Sequence, residues 1–278
     1  MALARNLTNA ALTVILAGAM ALAATPAAAV NTIVEFNVND GTPGGGTFQV
    51  ELFDEAAPLT VANFLGYVDR GDYTNSLFHR LALNFVLQGG GFTANVDEAD
   101  DLISTGVIEA IPAVAPVKNE YDVSRSNLYG TIAMAKLGSG PDTATNQFFF
   151  NLGDNSANLD NQNGGFTVFG RVVDDPEDLT DGMAVVETLA GKNQADLQVE
   201  TWRATQLNSA FGDLPLVEYS FGDTLVRDHL EMIYSITRVT VDSSLYSEFN
   251  GTSTAIPEPT ILALLGPAVA GLLGRKRR

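Results

Sequence analysis

The chain has 278 residues, a formal net charge of −18 and 46% hydrophobic residues. This composition is typical of a folded globular protein, and the acidity argues against a general nucleic-acid binder, whose affinity comes from lysine and arginine side chains that neutralise phosphates. The chain has no cysteine and only two histidines, which excludes disulfides, thiolate chemistry and a histidine-rich metal site.

The first 29 residues have the pattern of a secretory signal peptide. Arg5 precedes an apolar run from Ala10 to Ala24, and small residues lead up to Ala29. We expect signal peptidase to cleave after Ala29, which would make the protein an exported one. An uncleaved anchor helix is the alternative, although the apolar run is short and rich in alanine for a membrane span.

A strand hairpin and a helix are predicted next. Residues 32–38 and 47–53 have strand patterns, and the turn-forming residues between them predict a hairpin. Residues 58–68 place their apolar side chains on one helical face, with Thr60 as the expected cap.

The stretch from Leu77 to Phe92 places Arg80 and Gln88 among apolar and aromatic residues and ends in three glycines. Its pattern is strand, turn, strand and glycine turn, and alternation would put Phe78 and Arg80 on the side opposite His79. An unpaired charge is costly to bury inside an apolar strand pair. Two interpretations of the arginine remain open at this point, namely an edge residue that reaches solvent and a functional group.

The remaining central residues predict more short strands. Surface loops with a short helix are expected over residues 93–117, and residues 192–224 have no clear pattern. Strands are expected over residues 129–136, 146–152, 166–173 and 230–241, and a second helix over 178–190. Many short strands with only two helices favour a closed barrel or a sandwich.

The C-terminal residues predict a linker and a sorting tail. Residues 243–255 are small and polar, and residues 256–278 combine Pro257-Glu258-Pro259, a short apolar run and four terminal basic residues. This tail resembles the PEP-CTERM sorting signal of Gram-negative bacteria. The resemblance implies a transient contact with the inner membrane and removal by an exosortase-type processing protease. A plain tail anchor is the alternative.

Four sequence blocks, in their order and spacing, resemble those of a cyclophilin-type peptidyl-prolyl cis-trans isomerase. They are Phe78-His79-Arg80 with Phe85 to Gly90, Gly130 to Ala135, Asn146 to Phe150, and Leu159-Asp160 with Phe166 to Gly170. The resemblance implies one domain over residues 30–242 with a mainly β fold. The expected fold is a closed eight-stranded antiparallel β-barrel capped by two α-helices, with the active site in a groove on its outer surface.

The resemblance also implies roles for individual residues. Arg80 and Gln88 fall on catalytic positions, and Gln88 forms with Gln147 the polar pair that orients the substrate and the arginine. The positions implied to bind substrate are Phe85, Val86, Ala135, Lys136, Gln147, Phe149, Leu159 and Phe166.

The chain departs from the family pattern at four positions. The family often has histidine where Phe166 stands, asparagine at Lys136, methionine at Val86 and tryptophan at Asn158. Phe166 and Val86 keep an apolar wall, and Lys136 is tolerable where the contact is made by the backbone. The missing tryptophan argues against strong cyclosporin binding more than against catalysis.

The implied reaction needs neither a metal nor a cofactor, and we expect none. The aspartates near residues 154–160 lack the spacing of an EF-hand calcium loop. The expected partners are proline-containing peptides or proteins in the periplasm, at the cell surface or in the extracellular matrix, with no nucleic acid, and the protein is expected to be a monomer. A binding module of the same fold that does not require turnover is the alternative.

Overall fold

The computed structural model describes residues 31–41, 45–94, 103, 107–174, 181–191, 198–200, 210–217, 219–220 and 223–239. The predicted signal peptide, linker and sorting tail lie outside the described residues, as does Trp202. Within the described ranges, no helix is both long enough and apolar enough to cross a membrane.

Short strands dominate the described part of the chain. The strands are β1 (Ile33–Val38), β2 (Gly46–Leu52), β3 (Ser76–Leu77), β4 (Arg80–Ala82), β5 (Val86–Gly89), β6 (Phe92–Ala94), β7 (Ile108–Ala110), β8 (Thr131–Met134), β9 (Phe148–Asn151), β10 (Val168–Val173), β11 (Gln198–Glu200), β12 (Leu214–Leu216) and β13 (Met232–Val239). The helices are α1 (Pro58–Arg70), α2 (Ser156–Leu159), α3 (Gly182–Leu189) and a 3-10 turn over Arg227–His229.

Eleven strands form one sheet in the order β4-β5-β9-β8-β10-β2-β1-β13-β3-β6-β7, and β11 pairs with β12 separately. Every one of these pairings is antiparallel, including the predicted hairpin of β1 and β2. Side chains from β1, β2, β5, β8, β9, β10 and β13 meet in one apolar core, so the sheet curls around that core. The prediction of a mainly β antiparallel fold is confirmed.

The prediction of a closed eight-stranded barrel was wrong in strand number and in closure. The expected strand over residues 77–82 is interrupted, because the N–H of Phe78 donates to Glu231 O and the N–H of His79 donates to Gln88 O. Consequently β3 pairs with β13, whereas β4 pairs with β5 at the other end of the strand order. One predicted strand thus becomes two, and β4 and β7 are left as the edges of an open, curled sheet.

The interruption also shifts the side-chain alternation, which corrects the predicted sides. Phe78 is fully buried in the main core together with Leu81, three residues later. His79 packs against Phe92 in a different cluster, with ring centroids 5.1 Å apart. Alternation therefore restarts after the break, and Arg80 and Leu81 follow the regular pattern of β4.

The first predicted helix is confirmed, but its expected cap is not. Ala57 is the N-cap residue and makes no side-chain capping bond. Thr60 lies inside the first turn, where its N–H and Oγ1 donate to Glu120 Oε2 at 2.7 and 2.8 Å. A carboxylate from a distant loop therefore satisfies an N-terminal donor that a local cap would otherwise bind. The second predicted helix corresponds to α3, which Asp181 caps by accepting from the N–H of Ala184.

The described part of residues 93–117 contains strands where loops with a short helix were expected. Phe92, Thr93 and Ala94 pair with Ala110, Glu109 and Ile108 to form β6 and β7. On its other side β6 pairs with β3 through Thr93 and Ser76. Pairing with a neighbouring strand therefore determined this structure, which local alternation had not indicated.

Candidate active site

The strands in the middle of the sheet point alternate side chains to opposite faces. On β5, Leu87 points into the main core, whereas Val86 packs in a separate apolar cluster. On β9, Phe148 and Phe150 point into the core and Phe149 joins that second cluster. Adjacent residues of the same strand are thus divided between the core face and an outer face.

The apolar cluster on the outer face, which we call the outer cluster, gathers residues from several of the sequence blocks. Its buried members are Val86, Ala133, Phe149, Leu159 and Val168, and its half-buried members are Phe53, Ala82, Phe85, Ala135 and Phe166. The rings of Phe149 and Phe166 meet edge to face with centroids 5.8 Å apart. The N–H of Phe166 donates to Leu159 O at 3.0 Å, which ties the loop after α2 to the cluster.

Polar side chains border the outer cluster on one side. Arg80 lies directly opposite Gln88 in the pairing of β4 with β5, and Gln88 lies opposite Phe149 in the pairing of β5 with β9. Gln88 Nε2 donates to Gln147 Oε1 at 2.8 Å. Residues directly opposite each other in antiparallel strands point to the same face. Arg80, Gln88 and Phe149 therefore share the outer face.

Lys136 covers another border of the outer cluster. Its Nζ donates to Asn163 O at 2.8 Å and to Gly165 O, and it lies 4.8 Å from the centroid of the Phe166 ring. Burial lowers the pKa of this ammonium group from its ordinary value. The lysine side chain is thus bound to the loop that carries Phe166. The adjacent N–H of Ala135 donates to Gln147 O at 2.9 Å.

Arg80 has an acidic partner that sequence reasoning missed. Its Nε lies 3.4 Å from Asp213 Oδ2, and the two side chains are 35% and 48% exposed. Asp213 comes from the stretch for which the sequence showed no pattern, and no local signal links it to Arg80. Because both side chains remain accessible, Arg80 reaches solvent while it is paired, so it is neither a buried charge nor a free edge cation.

His79, next to the arginine, is buried at 2% exposure. Desolvation lowers its pKa to about 4, against the opposing effect of a hydrogen bond with the Gln147 side chain. The imidazole is therefore neutral at pH 7. It packs on Phe92 and Phe211, which belong to an apolar cluster separate from the main core.

The structure gathers all of the predicted site residues on or beside one face of the sheet. Phe85, Val86, Ala135, Phe149, Leu159 and Phe166 belong to the outer cluster. Arg80, Gln88, Gln147 and Lys136 border it through the contacts given above. Their roles stay predictions. Within the described ranges, no three His, Asp or Glu side chains are grouped so as to hold a metal ion.

Comparison with known proteins identifies the family. The family model for cyclophilin type peptidyl-prolyl cis-trans isomerase/CLD matches residues 33–208. A peptidyl-prolyl cis-trans isomerase of Acinetobacter baylyi is 37% identical over 164 residues, which cover 59% of this chain and 74% of that protein. Peptidyl-prolyl cis-trans isomerase B of Escherichia coli is 35% identical over 163 residues, or 57% and 84% of the two chains.

Among solved structures, a cyclophilin type peptidyl-prolyl cis-trans isomerase of Cryptosporidium parvum aligns with a TM-score of 0.48 and 20% identity, covering 76% of this chain and 99% of that one. The family match spans more than half of this chain and includes all four sequence blocks. The chain therefore belongs to the cyclophilin-type peptidyl-prolyl cis-trans isomerase family and is an enzyme of that type.

Proposed function

We propose that this enzyme isomerises X-Pro bonds of peptides bound across the outer cluster, with Arg80 as the donor to the twisting prolyl nitrogen. The observation that carries the proposal is the position of Arg80 at the polar border of an apolar cluster with half-buried members, opposite Gln88.

The chemistry of the reaction explains why an arginine suits this position. Twisting an X-Pro bond breaks amide resonance, which gives a barrier of roughly 18–20 kcal/mol. At the twisted transition state the prolyl nitrogen becomes pyramidal and regains a lone pair that a guanidinium N–H can meet. That interaction is weak in the planar ground state and stronger at the top of the barrier, so it accelerates the reaction. Arginine remains charged and presents its donors in a rigid plane.

The outer cluster supplies the complementary apolar contact. Phe149 and Phe166 form an edge-to-face pair, and Val86 and Leu159 pack beside them. A proline ring placed there would lose contact with water and be held while the preceding carbonyl rotates. The Gln88–Gln147 hydrogen bond supports the same proposal, because a paired amide has fewer orientations than a free one.

Replacing the guanidinium tests the proposal. In a prolyl-peptide isomerisation assay, Arg80→Ala is expected to lower kcat/KM by roughly 10²- to 10³-fold, in the range found when a transition-state donor is removed. Arg238→Ala is the matched control, because Arg238 is an exposed arginine paired with Asp69 between β13 and α1. The Arg238→Ala variant should keep the kcat/KM of the unchanged protein.

Full activity of Arg80→Ala would contradict the arginine mechanism. Background rates for the unchanged protein would instead favour the alternative, a binding module of the same fold. A thermal unfolding curve of each variant separates a loss of chemistry from a loss of folding.

We also propose that the enzyme acts on exported proteins outside the cytoplasm of a Gram-negative bacterium. The signal-peptide pattern of residues 1–29 and the sorting-tail pattern of residues 256–278 support this proposal. Mass spectrometry of the exported protein should find Val30 at its N-terminus and should not find the residues 275–278. Retention of those basic residues would count against tail processing.

A further inference from the structure

The residues 210–217, which we call the flanking segment, are attached to the backbone beside Arg80. The N–H of Leu81 donates to Asp213 O at 2.8 Å, so the segment extends the pairing at the edge of β4. At the other end, the N–H of Val217 donates to His229 O at 2.9 Å. Asp213 is therefore one of the two residues through which the backbone of the segment is attached.

Buried side chains on both sides of Asp213 anchor the flanking segment. Phe211 and Leu214 are fully buried in the second apolar cluster, which also contains Phe92. The Phe211 ring meets the Phe92 ring edge to face, with centroids 4.8 Å apart, and lies 6.4 Å from the ring of His79. Anchors of this kind position the intervening aspartate, whose side chain is 48% exposed.

The pairing engages one particular nitrogen of the arginine. Asp213 Oδ2 approaches Nε of Arg80, at 3.4 Å. A guanidinium has five N–H donors in a rigid plane. At 3.4 Å the carboxylate is an ion-pair partner on the Nε side of that plane, which leaves the donors on the terminal nitrogens for a substrate. An exposed ion pair contributes only about 0–1 kcal/mol to folding. The effect of this contact on the protein is therefore expected at the guanidinium rather than in the stability of the fold.

We propose that Asp213 is a positioning residue that orients the guanidinium of Arg80 for isomerisation of the X-Pro bond. The inference rests on the proposed function, since it assigns Asp213 a role through Arg80. It gives the flanking segment a part in the reaction, whereas the sequence had assigned it none. Asp213 itself touches no reacting atom in this mechanism.

Removal of the carboxylate should lower the rate without unfolding the protein. Asp213→Ala is expected to reduce kcat/KM by about 3- to 10-fold, mainly through kcat, because an unrestrained arginine samples more orientations. Asp213→Asn keeps an acceptor oxygen and should retain more of the rate than Asp213→Ala. Asp69→Ala removes the carboxylate of a comparable exposed ion pair between α1 and β13, and should leave kcat/KM unchanged.

A double-mutant cycle distinguishes positioning from a general structural effect. In the Arg80→Ala background, Asp213→Ala should cause no further loss of rate, because the group that it positions is absent. An equal loss in both backgrounds would overturn the inference in favour of a structural role. A faster Asp213→Ala enzyme would overturn it as well, because the carboxylate would then compete with substrate for Arg80.

The two proposals fail in different ways. An unchanged rate for Asp213→Ala, combined with a large loss for Arg80→Ala, would overturn the positioning role and leave the arginine mechanism intact. An unchanged rate for Arg80→Ala would overturn the mechanism itself. Should Asp213→Ala unfold below the assay temperature, the Asp213→Asn variant decides, since it preserves the size of the side chain.

Discussion

The two faces of the curled sheet use the same strands for different purposes. On the core face, Phe148 is fully buried and lies within 6.0 Å of the rings of Phe36, Phe64, Tyr73 and Phe150. On the outer face, its neighbour Phe149 meets the ring of Phe166 in a cluster with several half-buried members. One residue of displacement thus separates a position inside the main core from a buried position beneath the half-buried members of the outer cluster.

The same division appears on β5, where Leu87 is fully buried and the adjacent Gln88 is half-buried beside Arg80. Because successive side chains of a strand point to opposite faces, residues that fill the core alternate with residues that form the mixed polar and apolar outer face. The comparison indicates that substitutions on the core face should act on stability, whereas those on the outer face should act on catalysis.

Substitution of the two adjacent phenylalanines tests this comparison with the largest expected effect. Phe148→Ala should lower the free energy of unfolding by roughly 3–5 kcal/mol, the usual cost of truncating a buried phenylalanine. Phe149→Ala should cost about half as much, because its surroundings are partly open, but should reduce kcat/KM at least about 10-fold through the lost contact with the proline ring. Urea unfolding and the isomerisation assay measure the two quantities.

Equal losses of stability at the two positions would break the comparison. If Phe148→Ala does not fold, the milder pair Phe148→Leu and Phe149→Leu should preserve the same order of effects.

His79 provides a second test, because it lies next to Arg80 and yet is buried. Its pKa in the folded protein is about 4, below the ordinary value of 6.5. The unfolded chain therefore binds this proton at a higher pH than the folded protein does. The stability that comes from burying a neutral His79 is fully present above pH 6.5 and is lost as the pH falls towards 4. A shift of this size corresponds to at most about 3 kcal/mol. Unfolding at pH 7 and at pH 4 should show a smaller difference for His79→Gln than for the unchanged protein.

The result would be contradicted by parallel pH profiles of stability for the two proteins. Titration of His79 should not contribute to the pH dependence of kcat/KM near pH 7, because the imidazole is already neutral there.

The Gln88–Gln147 hydrogen bond should give the smallest effect on stability. Gln147→Ala removes the acceptor of the 2.8 Å bond and also the side-chain partner of His79, so it should lower the free energy of unfolding by about 1–2 kcal/mol, since one such bond has a net value of about 1 kcal/mol. The expected loss of kcat/KM is several-fold, because Gln88 would no longer be held beside Arg80. A stability loss well above this value, with an unchanged kcat/KM, would show that the pair stabilises the fold, as residues of the core face do, and has no part in catalysis.

Much of this architecture could be predicted from local patterns. The β1–β2 hairpin, the apolar face of α1 and the family blocks were all evident in the sequence, because each depends on residues that lie close together in the chain. Alternation also divided Val86 from Leu87 correctly, but it placed Phe85 on the face of Leu87, whereas Phe85 packs in the outer cluster. The sequence therefore determined the strand-rich antiparallel fold, the family, and which residues are candidates for the site.

Long-range contacts decided the rest. The strand through Phe78 and His79 is interrupted because its donors find acceptors at Glu231 and Gln88, far apart in the chain, and no local pattern reports such a choice. The Glu120 carboxylate at α1 and the Asp213 carboxylate at Arg80 likewise come from distant loops. Periodicity reports the face on which a residue lies, whereas the partner it meets there depends on how separate segments pack. Tertiary structure alone therefore revealed the open sheet and the acidic partner of the arginine.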